Sequence, residues 1–467
     1  MLDLLLRQPE SKILEFKRDV SSLEPILKTI IAFANTAGGT LIIGRSADGS
    51  LVGVNDVFRA EEALANSIAD SIRPALLPEI EIATVSDKDL LVIRVSHWKG
   101  PFYLKKEGIP NGVYIRLGST SRPAGPEIFA ELHRSVLTLS YDQESLPDLS
   151  LDALDLNIAG RFFQAIGKEI NEEKLRSLGI LTPAANRWVP SIGGLILFGK
   201  KELQKRLLPD VEVRCARFLG ETKTHILDQQ DVEGTILDAV TEVPKFIARN
   251  TRFPAVFLSM QRKDIPEYPP IAVREALINA LVHADYSLRG SHIQVAIFAN
   301  RLEIQSPGMF PFGFTLDDLK AGVSRIRNRV IVQVFHALQL VEKWGSGYKR
   351  IMDACKEGGY PEPKWEELGT TIRVTFYPHP AAVIREPQKF LLAEDSSLTP
   401  REEAILSLFQ EAKILPFRQI HKKLVPTLSE RMLRYELASM KKKGFISSLG
   451  KGRAQVWQLI RNGSCLA

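Results

Sequence analysis

Two sets of residues in this 467-residue chain combine types and spacings that do chemistry. The first lies in the segment ESKILEFKR, which holds Glu10, Glu15, Lys17 and Arg18. Read as a strand, it puts Ile13, Glu15 and Lys17 on one face and Leu14 and Phe16 on the other. A carboxylate and a lysine two apart on one face suit metal-dependent phosphodiester cleavage. The acid holds Mg²⁺ or Mn²⁺, and the lysine orients water or steadies phosphate. Glu10 and Asp48 offer further oxygen ligands. The bland alternative is a solvated strand face. The second set is Glu275, Asn279 and His283, four residues apart in IAVREALINALVHAD, so they line one face of a helix. A Glu and an Asn one turn apart can hold a water and a Mg²⁺ beside a triphosphate; the bland alternative is a polar stripe.

The elements that must position these groups fall into blocks. Residues 1–135 alternate strand-like runs (TLIIG, LLVIRVS, GVYIRLG) with helical stretches at 22–36 and 58–74. Residues 150–265 mix helices with the apolar run GGLILFGK and the strand VEVRCARFLG. They show no catalytic constellation and read as a connecting or dimerising region. Residues 266–380 open at the proline-rich EYPP, 381–398 read as a linker, and 399–467 form a basic tail domain.

The ordered motifs ESKILEFKR, IIAFANTAGGTLIIGRSADGSLVGV and NGVYIRLGSTSRPA resemble the Schlafen-type AlbA domain, also called AlbA-2 or divergent AAA-4. That resemblance implies nucleic-acid binding and, in some members, a carboxylate nuclease site. Glu10 and Glu15 fall on the family's paired glutamates. The third acid is displaced: the turn reads Gly44-Arg45-Ser46-Ala47-Asp48-Gly49, with only Asp48 remaining. Little or no metal-dependent cleavage is therefore expected. Residues 91–122 carry six Lys/Arg, among them Lys105, Lys106 and Arg116, against one acid, Glu107. Trp98, Phe102, Tyr103 and Tyr114 are interleaved, a mixture suited to phosphate contact and base stacking. Lys17 and Arg18 would add phosphate contacts.

Downstream of the second set come the hairpin HIQVAIFANRLEIQSPG, the glycines Gly345 and Gly347 before the helix YKRIMDACKEGG, and the strand GTTIRVTF. This order resembles the ATP-binding (GHKL) fold shared by gyrase, heat-shock-90, MutL and histidine kinases. The resemblance implies that Asn279 ligates Mg²⁺, Glu275 orients the hydrolytic water, and Gly345 and Gly347 let backbone N–H groups approach phosphate. The family's adenine-reading Asp-x-Gly-x-Gly stands here as Ser306-Pro307-Gly308-Met309-Phe310, without the aspartate. Bound ATP with Mg²⁺ and at most weak ATPase activity are the expectation. Proteins pairing such a block with an AlbA domain form a large prokaryotic group described as transcriptional regulators.

Residues 398–461 hold 13 Lys/Arg and 5 Asp/Glu in a chain whose net charge is only +6. Thr399-Pro400-Arg401-Glu402 is a capping box that starts a helix. A second helix at 417–423, a third from about 429 to 443 and a basic hairpin follow, the order of a winged helix-turn-helix. Leu433, Leu437 and Met440 would face inward; Arg431 and Arg434 would enter the major groove, and Lys451 and Arg453 at the wing tip would touch phosphate. The three cysteines lie far apart with no paired spacing, so neither zinc nor a disulfide framework is expected. No apolar run approaches the ~18–20 residues of a membrane span, and the N-terminus lacks a secretory pattern, which fits a cytoplasmic protein. The reading is an α+β, multidomain chain: an AlbA-like domain, a GHKL-like α/β sandwich and a winged helix. The expected function is a DNA-binding regulator, homo-oligomeric, with DNA or RNA as partner and no membrane. A Schlafen-type nuclease and a scaffold with a degenerate ATPase fold are the alternatives.

Overall fold

The computed structural model describes residues 2–252, 255–258, 261–341, 347–382, 399–409, 414–424, 428–442, 445–449 and 456–459. Two compact units divide the chain, residues 1–383 and 384–467. The protein is mixed α and β and multidomain. Among the described residues no helix is long and apolar enough to cross a membrane.

The first unit begins with a four-stranded sheet in the spatial order Leu14–Lys17, Gly39–Ile43, Lys88–Val95, Glu79–Val85. The first pair is parallel and the others antiparallel. A parallel pair needs a crossover, and the helix Leu23–Asn35 supplies it. That helix buries Ile26, Ile30, Ile31 and Phe33 against Leu41, Ile43, Leu91 and Ile93. The opposite sheet face packs Leu14, Phe16, Ile42, Leu90 and Val92 beneath leucines of the N-terminal helix Leu2–Leu6. The two central strands, Gly39–Ile43 and Lys88–Val95, are covered on both faces and carry continuous apolar runs, whereas the edge strand Glu79–Val85 alternates. Leu14, Glu15 and Phe16 are all buried, so the strand face that carries Glu15 is not the solvated face of the bland alternative.

A six-stranded sheet follows, in the order Ile226–Val232, Val213–Phe218, Ile293–Ile297, Leu302–Pro307, Thr371–Phe376, Lys364–Glu367. Cys215 pairs with Val295 across the parallel ladder of its second and third strands. Residues 213–232 therefore complete this sheet, and the boundary expected at 265/266 runs through a single layer. The helices Ile236–Asn250 and Pro270–His283 pack on the sheet, and Gly347–Gly358 packs against Pro270–His283. Pro270–His283 buries nine of its fourteen residues, as a helix enclosed on most sides must. The run GGLILF is the end of a wholly buried helix, Ile192–Phe198, capped by Ser191 Oγ accepting from Gly194 N at 3.0 Å.

Within this unit the AlbA-like and sheet-bearing regions share a small apolar cluster of Val113, Ile115, Leu132, Met309 and Phe312. Lys12 reaches across to Glu367 at 2.7 Å, and Gly313 N donates to Thr36 O at 2.5 Å.

Among its described residues the second unit holds three helices, Pro400–Leu408, Phe417–Leu424 and Glu430–Lys442, with a three-stranded sheet ordered Ile414–Pro416, Val456–Leu459, Ile446–Leu449. Leu433, Leu437 and Met440 are fully buried among Ile405, Ile420, Ile446 and Trp457. Most of the expected linker, residues 383–398, lies outside the described residues.

Candidate nucleotide pocket and nucleic-acid contacts

The N-terminal carboxylates are held by protein partners. Glu15 Oε2 accepts from Arg116 at 2.8 Å, and Oε1 accepts from Lys17 Nζ at 2.5 Å. Arg116, expected at a phosphate-contacting surface, has a side chain with no exposed area. Its guanidinium also donates to Ser11 O at 2.6 Å and Ser121 Oγ at 3.2 Å. A side chain so enclosed cannot reach phosphate. It neutralises Glu15 and ties the Tyr114–Leu117 strand to the first strand of the sheet. Glu10 is exposed, and its Oε1 accepts from Phe16 N at 3.1 Å. Asp48 sits in an exposed turn, where Ser50 donates to it twice and holds its carboxyl below the usual range. These acids do not converge, and among the described residues no group of three or more His, Cys, Asp or Glu is placed to hold a metal ion. With both Glu15 oxygens occupied by cations, the arrangement does not fit a divalent metal.

The expected cationic contacts are dispersed. Arg18 is exposed, with Asp19 at 3.9 Å. Lys105 is exposed. Lys106 and Lys28 both pair with Glu24 and pull its carboxyl down to about 2. In the second unit Arg431 and Arg434 are exposed on the Glu430–Lys442 helix. Arg434 stacks 4.5 Å above the Phe417 ring, and Tyr435 stands beside it, 72% exposed. Gly345, Lys451 and Arg453 lie outside the described residues.

Two members of the second set, Asn279 and His283, meet at one pocket. Asn279 and His283 line a pocket of about 910 Å³, open mouth included, beneath the start of the Gly347–Gly358 helix. Its floor is the sheet, through Ile304, Ser306, Ile372 and Val374. Its walls carry two aromatic pairs. Tyr348 and Trp365 lie 4.8 Å apart, and Phe310 and Phe314 5.6 Å apart. Gly347 is needed for closeness: a Cβ there would sit 2.7 Å from Glu275 Oε1 and 3.0 Å from Asn279 Nδ2. Burial lowers the His283 imidazole to about 4, with nearby Arg327 adding to the shift, so it is neutral at pH 7. Glu275 is not among the residues that line this pocket. It is buried, and Oε2 accepts from Arg350 at 2.8 Å. Sequence reasoning missed Arg350 and the aromatic walls. Arg350 carries one local sign, its place in the first turn after Gly347, whereas Trp365 lies on an edge strand that was not foreseen.

Residues 10–125 match the family model "Schlafen, AlbA_2", and residues 290–376 match "Putative ATP-dependent DNA helicase recG C-terminal". Two solved structures are similar. The DIP2311 protein from Corynebacterium diphtheriae is 18% identical over 98% of both chains, with a TM-score of 0.40. The N-terminal domain of a "Putative ATP-dependent DNA Helicase RecG-related Protein" from Nitrosomonas europaea is 32% identical, covering 27% of this chain and 90% of that one, with a TM-score of 0.21. No curated protein matches the chain. The AlbA_2 match contains Glu10, Glu15 and Arg116; the second contains Ser306, Arg325, Gly347 and Trp365, while Glu275 and Asn279 precede it. The chain is a protein with a Schlafen AlbA_2 domain followed by an ATPase-like domain.

Proposed function

We propose that this protein is a DNA-binding regulator whose ATPase-like domain takes an adenine nucleotide and reports its presence to the nucleic-acid-binding parts. The observation that carries the reading is the pocket itself, where Asn279 and Gly347 meet over an aromatic-walled floor. Such walls suit a planar ring. Ser306, in the place of the family's aspartate, offers a hydroxyl that accepts from an exocyclic amine, though without a carboxylate's charge. Mg²⁺ keeps waters and phosphate oxygens as most of its ligands, so one amide oxygen from Asn279 fits that ion. When bound, the ion would neutralise phosphate charge. Glu275 held by Arg350 favours binding over turnover, and hydrolysis is expected to be slow. The second unit supports the DNA reading with its basic balance, its buried Leu433–Leu437–Met440 stripe and its outward Arg431 and Arg434, the arrangement a winged helix presents to a major groove. Among the described residues the nuclease reading has no metal-ready carboxylate cluster in its favour.

The test has two arms on the full-length chain. ATP with Mg²⁺ should raise the melting temperature, and Asn279→Ala should abolish the rise. Arg431→Ala with Arg434→Ala should weaken binding to duplex DNA, and Lys451→Ala with Arg453→Ala should flatten its salt dependence by roughly 1.8 in log–log slope, two phosphate contacts' worth. Absence of any shift at millimolar nucleotide would remove the nucleotide; unchanged DNA affinity and slope would remove the second unit as the reader.

A further inference from the structure

A second concavity opens where the AlbA_2 region meets the ATPase-like domain within the first unit. It encloses about 1350 Å³, mouth included, between His97–Lys99 on one side and the Pro311–Phe312 and Arg325–Arg329 segments on the other. Its lining carries five cations, Lys99, Arg134, Arg325, Arg327 and Arg329, against two acids, Glu131 and Asp285. Arg327 pairs with both acids and so removes them from competition for a ligand. Arg134 is partly engaged by Glu144 at 3.4 Å, and Arg325 donates to Phe312 O. Lys99 and Arg329 are exposed and have no side-chain hydrogen bond or ion pair among the described residues. Two aromatic planes complete the lining. Trp98 is 58% exposed, yet its backbone is anchored by Trp98 N donating to Ala34 O at 3.2 Å. Tyr141 lies under the Arg134 guanidinium at 5.3 Å. A large indole left in water on a pinned backbone loses little freedom when a flat partner covers it.

We infer that this cleft binds single-stranded nucleic acid, with Trp98 stacking an unpaired base and Lys99, Arg325 and Arg329 holding the phosphates. The inference rests on the nucleic-acid-binding reading above but assigns it a separate site. Phosphate attraction alone would suit any polyanion; the exposed aromatic selects a strand whose base faces are free, because a duplex hides those faces inside its stack. Pro311 and Arg325 line both this cleft and the nucleotide pocket, so one wall is common to the two sites.

Binding of the full-length chain to a short fluorescent oligothymidylate and to oligouridylate, followed by anisotropy over a range of salt, tests this. Trp98→Ala should weaken binding roughly tenfold or more, the contribution of one stacked base. Lys99→Ala with Arg329→Ala should lower the log–log salt slope by about 1.4, at ~0.7 per phosphate contact on single strands. All these side chains are exposed, so the fold should persist, and an unchanged melting temperature verifies it. Wild-type affinity and slope in both variants would overturn the cleft while leaving duplex binding by the chain intact. Failure of the wild type to bind any DNA or RNA would overturn both the cleft and the broader function. A mononucleotide or a phosphopeptide that competes as well as the oligomer at equal phosphate concentration would overturn the strand as ligand.

Discussion

Replacing Arg116 by methionine isolates what the buried pair beneath the AlbA_2 sheet does. The substitution keeps a long apolar stem and removes a guanidinium whose side chain has no exposed area. Glu15, with 8% side-chain exposure, is left with Lys17 alone. Breaking a buried pair by deleting one partner costs about 3–5 kcal/mol, because an uncompensated charge stays in the interior. Lys17→Met should cost under about 1 kcal/mol, since the lysine is 31% exposed and water replaces much of what it gives. Replacing both members, Glu15→Leu with Arg116→Met, should recover most of the loss. Hydrogen-exchange mass spectrometry on peptides spanning residues 14–43 of the full chain reads this locally. A loss of 3 kcal/mol appears as exchange roughly 150-fold faster in Arg116→Met, from ~1.36 kcal/mol per tenfold. Unchanged protection combined with weaker nucleic-acid binding would refute the argument and return Arg116 to the phosphate-contacting role.

Other expectations follow from the ATPase-like domain. Gly347→Ala places a Cβ 2.7 Å from Glu275 Oε1 and should abolish the nucleotide-dependent rise in melting temperature, leaving the apo value within a few degrees. A full nucleotide shift in that variant would contradict the closeness assigned to Gly347. His283 is held near 4 against an ordinary 6.5, so the unfolded chain binds the extra proton first. Stability attributable to it is complete above pH 6.5 and falls as pH drops toward 4, by about 2 kcal/mol at pH 5. Urea unfolding of His283→Leu should show that much less acid sensitivity than the wild type; an identical pH profile would refute it.

Local signals in the sequence carried the elements whose faces differ. The helix Leu23–Asn35, the strands Ile293–Ile297 and Leu302–Pro307, and the capped helix at Thr399 were all legible from period and cap residues. The shared helix face of Asn279 and His283 was legible from their spacing, whereas only the resemblance to the ATP-binding fold brought Gly347 beside them. The pairings that decide chemistry were not legible. Arg116 lies 101 residues from Glu15, and Arg350 lies 75 from Glu275, distances over which a chain carries no periodic mark. The buried helix Ile192–Phe198 hid because an element apolar on every side has no amphipathic period. The seam at 265/266 misled for a related reason. Prolines in EYPP mark a turn, and a turn inside one sheet looks the same as one between domains.

The proposed function requires that the nucleotide pocket and the nucleic-acid-binding surfaces communicate. Duplex-DNA affinity of the full-length chain, measured with and without saturating ATP and Mg²⁺, tests it most directly. A change of fivefold or more is expected, matched by an equal change in ATP affinity when DNA is present, since coupling between two ligands is reciprocal. The change should vanish in Asn279→Ala. Identical DNA affinity with and without ATP, in a protein whose melting temperature shows that ATP is bound, would contradict it.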